Sequence, residues 1–244
     1  MHIFGKKNSW ALILAFSLIA SPVYALIKVG TVFFEPPFVT SINQGFNIDL
    51  IHALCQGMKE QCQVIPMDFN KLFTALDSGD IDLAFGVYVS ENREKRYIFS
   101  LPYIASKVQF LVLKSKNINS IDMLKGKKVG LVKEEEGGLL YEYLIVNYGP
   151  STSVVNYDDM EDVITALNSD DISAALLHKP TVQYWEQNSD NLFVALGQPI
   201  NLGDGVAIMA LPENAALIQR INQQLQLIEN NNVYLNIYNV YFSD

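Results

Sequence analysis

The run Gly79-Asp80-Ile81-Asp82-Leu83-Ala84-Phe85-Gly86-Val87-Tyr88-Val89, continued by Ser90-Glu91-Asn92-Arg93, reads as a turn, a buried strand and a helix start with Ser90 as N-cap. That register puts Arg93 in the first helical turn, among backbone N–H groups without helical partners and at the positive end of the helix dipole. A cation there calls for an anion opposite it. A small carboxylate or phosphate would meet a guanidinium fork and helix N–H groups together. The competing reading is an exposed arginine in a charged run, because Glu91, Glu94, Lys95 and Arg96 surround it.

Working outward, the pattern alternates strand and helix. Ile27 to Thr31 is a short strand, broken by Glu35-Pro36-Pro37-Phe38. Ile48 to Met58 carries apolar residues at helical spacing, Val64-Ile65 is a strand, and Asn70 to Ser78 is a short helix closed by Gly79. After the strand Val108 to Leu113 the order restarts. A short helix over 121–124 leads to a strand over 128–132, a helix over 139–148, a strand at 154–155, a helix over 159–168 and a strand over 172–177. A helix beginning at Thr181 follows, then an amphipathic helix from Ala215 to Glu229 and an aromatic-rich tail from Tyr234 to Phe242. Two halves with the same alternation predict an α/β protein with largely parallel sheets.

The N-terminus has Lys6 and Lys7, an apolar run from Trp10 to Ala20, and Ser21-Pro22-Val23-Tyr24-Ala25. These are the parts of a cleavable export signal, residues 1–25, with cleavage expected after Ala25. The apolar run is shorter than the roughly 20 residues a bilayer span requires. No cysteine follows the cleavage site to carry a lipid, so an exported, soluble product is expected. Cleavage removes two lysines and no carboxylate, moving the formal charge from −9 to −11. An acidic chain without a basic tract argues against nucleic acid as a partner.

Cys55 and Cys62 are the only cysteines. On one continuous helix their Cα atoms would lie roughly 10 Å apart, beyond disulfide reach. A bridge therefore requires the helix to end near Lys59 and the chain to turn back; the alternative is two buried thiols. No paired His or Cys spacing suggests a metal, no cofactor is expected, and no Ser/His/Asp or phosphate-loop motif stands out.

Taken in order, several segments resemble the bacterial periplasmic solute-binding proteins for polar amino acids. They are Gly30-Thr31 with Pro36-Pro37-Phe38, Gly45 to Leu50, Asp68-Phe69, Arg93, Phe99-Ser100 with Pro102-Tyr103, Leu124 to Gly130, Gly203 to Ile208, and the ending Tyr238 to Phe242. The resemblance covers nearly the whole chain after residue 25. The Cys55/Cys62 pair looks like the disulfide of the branch that binds arginine, lysine, ornithine and histidine.

The resemblance implies a two-lobed, type II periplasmic fold with two crossover hinges and a ligand cleft between the lobes. Lobe one would comprise residues 26–105 and 201–244, and lobe two residues 108–198. The crossovers would fall near Tyr103 to Lys107 and Pro199 to Gly203. The implied job is capture of a cationic amino acid in the periplasm by hinge closure, as a monomer, and delivery to a membrane ABC permease.

Carried over residue by residue, Arg93 matches the arginine that clamps the ligand α-carboxylate, and Phe69 an aromatic that stacks on the ligand side chain or serves the core. Gly86 and Tyr88 fall where the family uses small hydroxyl residues. Other positions depart from the pattern. Glu35 stands where a stacking tyrosine is usual, and Val32 where some members place a carboxylate for the ligand's distal cation. Lys133-Glu134-Glu135-Glu136-Gly137-Gly138 replaces a turn that normally offers donors to the carboxylate. His178, beside Lys179, replaces the aspartate that pairs with the α-amino group, and Glu136 would be a substitute partner for that group. Two other expectations compete with transport. One is an enzyme resembling cyclohexadienyl dehydratases, with Arg93 holding substrate and Glu35 or Glu136 as acid. The other is a sensor docking on a membrane receptor.

Overall fold

The computed structural model describes residues 26–134 and 138–242. The export-signal segment and the Glu136 assignment lie outside the described residues. In chain order the elements are β1 (Leu26–Thr31), α1 (Phe46–Met58), β2 (Gln61–Pro66), α2 (Phe69–Ser78), β3 (Leu83–Tyr88), the single turn α3 (Glu91–Glu94) and β4 (Ile98–Phe99). There follow β5 (Lys107–Leu113), β6 (Lys128–Val132), α4 (Leu139–Tyr148), β7 (Ser153–Tyr157), α5 (Met160–Asn168), β8 (Ala174–His178), α6 (Lys179–Asn188), β9 (Phe193–Asn201), β10 (Val206–Ala210), α7 (Ala215–Asn230) and α8 (Val233–Phe242).

Local chemistry sets the boundaries. Lys59 ends α1 in the left-handed region at φ 58°, its N–H returning to the Cys55 and Gln56 carbonyls. The reversal brings Cys62 of β2 back to Cys55, with Cα atoms 6.2 Å apart, and the two form a disulfide. Gly79 closes α2 at φ 74°, where a glycine carries no side-chain penalty. Ser90 Oγ accepts from the Arg93 N–H at 3.4 Å, and Asp159 Oδ1 accepts from the Asp162 N–H at 2.9 Å, capping α3 and α5.

The strands form two five-stranded sheets, ordered β2-β1-β3-β10-β4 and β7-β6-β8-β5-β9. Both are mixed, which corrects the expectation of largely parallel sheets. β1 runs parallel to β2 and β3, and β6 runs parallel to β7 and β8. β10 is antiparallel to β3 and β4, and β5 is antiparallel to β8 and β9. The physical reason is connectivity. β10 and β5 enter their sheets from a crossover instead of through a helix, so no right-handed βαβ unit fixes their direction.

The chain leaves the first sheet after β4 and returns to it after β9, and the two passages run side by side. Ile104 bridges Val206, the Val206 N–H donates to the Ile104 carbonyl at 2.9 Å, and the Leu202 N–H donates to the Ser106 carbonyl at 3.0 Å. Ser106 Oγ accepts from the Gly205 N–H at 3.2 Å and donates to the Leu202 carbonyl. On the far side of the first sheet, α7 buries Ile218, Ile221, Leu225 and Ile228, a helical stripe. The aromatic tail is itself a helix. In α8, Phe242 packs on Phe46 with ring centroids 4.8 Å apart, and the Tyr241 hydroxyl donates to Asp49 Oδ2 at 2.7 Å.

Candidate ligand cleft

Between the sheets lies a cavity of about 790 Å³, counted with its open mouth. Its lining comes from the carboxyl ends of the parallel strands. Val32 to Glu35 follow β1, Met67 to Phe69 follow β2, and Gly86 and Tyr88 end β3. From the other sheet come Val132 at the end of β6 and Glu134 just after it, Asp158 to Met160 after β7, and Leu176 to His178 at the end of β8. This is where open α/β sheets hold ligands, because the strand ends leave polar backbone and loop side chains facing one crevice.

The lining is acidic. It includes Glu35, Asp68, Glu134, Asp158 and Asp159 and contains no lysine or arginine. Three of the five acids are engaged locally: Asp68 with Lys71, Asp159 as the α5 cap, and Glu134 with Arg93. Glu35 is half-buried and has no ion-pair partner among the described residues; desolvation pushes its carboxyl up to about 7. Such a group accepts a cation at neutral pH only while ionised, and a cation beside it would favour that form.

His178 is 4 % exposed and ends β8. Its Nε2 donates to the Ala105 carbonyl at 3.3 Å, which leaves Nδ1 as an acceptor. Burial lowers its pKa to about 4, so the imidazole is neutral at physiological pH. Phe38 stacks on it at 4.8 Å and Tyr88 meets it edge-on at 5.4 Å, joining side chains of the two sheets across the cleft. The Tyr88 hydroxyl is likewise held well above its ordinary pKa, by burial first and then by Glu35 and Glu134. Gly86 sits at φ 83°, beside the register shift between β3 and β10, where a side chain would be strained.

Arg93 lies behind the cavity wall and is not part of its lining. It is 3 % exposed. Its Nη1 donates to the Tyr88 carbonyl at 2.9 Å and its Nη2 to Glu134 Oε1 at 3.0 Å. The guanidinium also lies 5.8 Å from the Phe69 ring and 5.3 Å from the Phe73 ring. Phe69 thus both lines the cleft and packs in the core, edge-on to Phe73 at 5.7 Å. The structure therefore brings Glu35, Phe69, Gly86, Tyr88 and His178 to one cavity and sets Arg93 behind it. Sequence reasoning did not single out Asp158, Asp159 or Phe38, and only the N-cap position of Asp159 carried a local signal. Among the described residues no cluster of His, Cys, Asp or Glu is placed to hold a metal, and no helix is long and apolar enough to cross a membrane.

Two α/β sheets, paired crossovers and a cleft between strand ends define a two-lobed binding protein. The sequence matches the bacterial extracellular solute-binding proteins, family 3, over residues 27–244, and the chain belongs to that family. It is 26 % identical over 245 residues to the ABC transporter arginine-binding protein 1 of Escherichia coli (strain K12), covering 97 % of this chain and 99 % of that protein. Its fold is similar to an arginine third transport system periplasmic binding protein from Legionella pneumophila, with TM-score 0.82, 30 % identity, and coverage of 88 % of this chain and 99 % of that one. It is also similar to an ancestral arginine-binding protein bound to glutamine, with TM-score 0.81 and 28 % identity over 90 % of this chain and 98 % of that one. The family is one of solute-binding proteins, and these likenesses are to binding proteins, which favours binding over the dehydratase reading.

Proposed function

We propose that this protein captures a cationic solute of the arginine, lysine, ornithine and histidine class between its lobes and delivers it to a membrane ABC permease. The observation that carries this reading is Glu35, a carboxyl without an ion-pair partner among the described residues, in a cleft whose described lining is acidic and holds no lysine or arginine. The likeness to arginine-binding proteins supports it. Residues 26–105 and 201–244 would move as one lobe against 108–198, with the Ser106–Gly205 contacts as the hinge. The site comprises Glu35, Phe69, Gly86, Tyr88 and His178, backed by Arg93. The working form is a monomer in the periplasm, released from a signal of residues 1–25.

A thermal-shift screen of the refolded protein, stripped of co-purified solute, tests this. A solute that binds only the native state raises the melting temperature by mass action. Shifts with cationic solutes and none with dicarboxylates, neutral amino acids or prephenate are expected. A shift confined to anionic or neutral solutes would refute the reading.

A further inference from the structure

We infer that the solute held in this cleft carries no carboxylate: it is an organic amine or guanidine, and Glu134 fills the seat a ligand carboxylate would take. This rests on the cationic charge of the solute proposed above, and it replaces the amino-acid part of that reading by the corresponding amine or guanidine.

A guanidinium fork and helix N–H groups that converge on one point make a seat for a carboxylate. Both are present, and both converge on a carboxylate the chain supplies itself. Glu134 Oε1 accepts from Arg93 Nη2 at 3.0 Å, while Oε2 accepts from the Leu140 N–H at 2.8 Å and the Tyr141 N–H at 3.4 Å, at the start of α4. The two side chains are 2 % and 6 % exposed. Gly138 makes the arrangement possible, because a Cβ there would lie 2.8 Å from Glu134 Oε2.

A solute carboxylate would have to expel this group. A tethered carboxylate competes at an effective concentration on the order of mM or more, above that of a scarce nutrient. The expelled Glu134 would then face the solute's own negative charge. Among the described residues no lysine or arginine lines the cleft to receive a carboxylate. What remains suits positive nitrogen: Glu35 and Asp158 as anions, and His178 Nδ1 as a neutral acceptor.

The test is calorimetric titration of the refolded, solute-free protein with matched pairs: agmatine against arginine, putrescine against ornithine, cadaverine against lysine. In at least one pair the amine should bind at least about tenfold more tightly than its parent amino acid. In Glu134→Gln that gap should narrow, since the amide gives up the negative charge that occupies the seat and repels a solute carboxylate. The wild-type comparison decides the matter even where the variant does not fold. A parent amino acid binding as tightly as its amine would overturn the inference and leave the cationic reading standing. Binding of neither member of any pair would sink both.

Discussion

Glu35 and His178 face the same cleft with opposite departures from ordinary acidity, and their pH signatures have opposite sign. The Glu35 carboxyl holds its proton up to about 7 in the folded chain, from an ordinary 4.5, so it withdraws stability as pH rises through that window. His178 resists protonation down to about 4, from an ordinary 6.5, so its contribution is lost as pH falls from 6.5 towards 4. Between 4.5 and 6.5 the two slopes oppose one another. Relative to wild type, Glu35→Gln should therefore lose melting temperature more steeply on acidification across that range, and His178→Phe less steeply. Thermal melts at stepped pH read both. Cation affinity should follow Glu35 ionisation, falling about tenfold per pH unit well below its pKa of about 7 and little above it; Glu35→Gln should flatten that profile.

The candidate site was partly legible at this scale. Arg93, Glu35, Tyr88 and His178 sit beside strand ends that the sequence pattern locates. The partner of Arg93 was not legible. Glu134 lies 41 residues away, in a run of three glutamates where nothing local marks it as a partner for a distant arginine.

Among the elements, helices with chemical punctuation were read within a few residues: Lys59, Gly79, Ser90 and Asp159 each stop or start one. β9, β10 and β4 were not read as strands. β9 is an edge strand interrupted by Gly197 and Pro199, β4 has only two residues, and all three owe their pairing to distant partners. The tail gave its aromatic composition but not its helix, because α8 is ordered by docking on Phe46 and Asp49. The Cys55–Cys62 bridge ties the end of α1 to edge strand β2. Replacing both cysteines by serine should cost about 2 kcal/mol for so short a loop, seen as a lower denaturant midpoint with ligand affinity nearly unchanged.

For the whole molecule, side chains that join the two lobes include Arg93 with Glu134, Phe38 and Tyr88 with His178, and Phe34 with Trp185 at ring centroids 6.5 Å apart. The ion pair is buried, so removing one partner leaves the other charge less well compensated in a low-dielectric site. Arg93→Ala or Glu134→Ala should each destabilise by about 3–5 kcal/mol, and the double variant by clearly less than their sum. Denaturant melts of the four proteins supply that cycle. Additive losses would mean that the two groups act independently and that the carboxylate seat is not filled from within.

The central claim is that an acidic cleft between two lobes takes up a small cation. Its most direct test is mass spectrometry of the solute released on denaturing protein that was purified natively from the organism that makes it. A cationic amine, guanidine or basic amino acid near one mole per mole of protein is the expected result. A dicarboxylate or an uncharged solute at that occupancy would contradict the account.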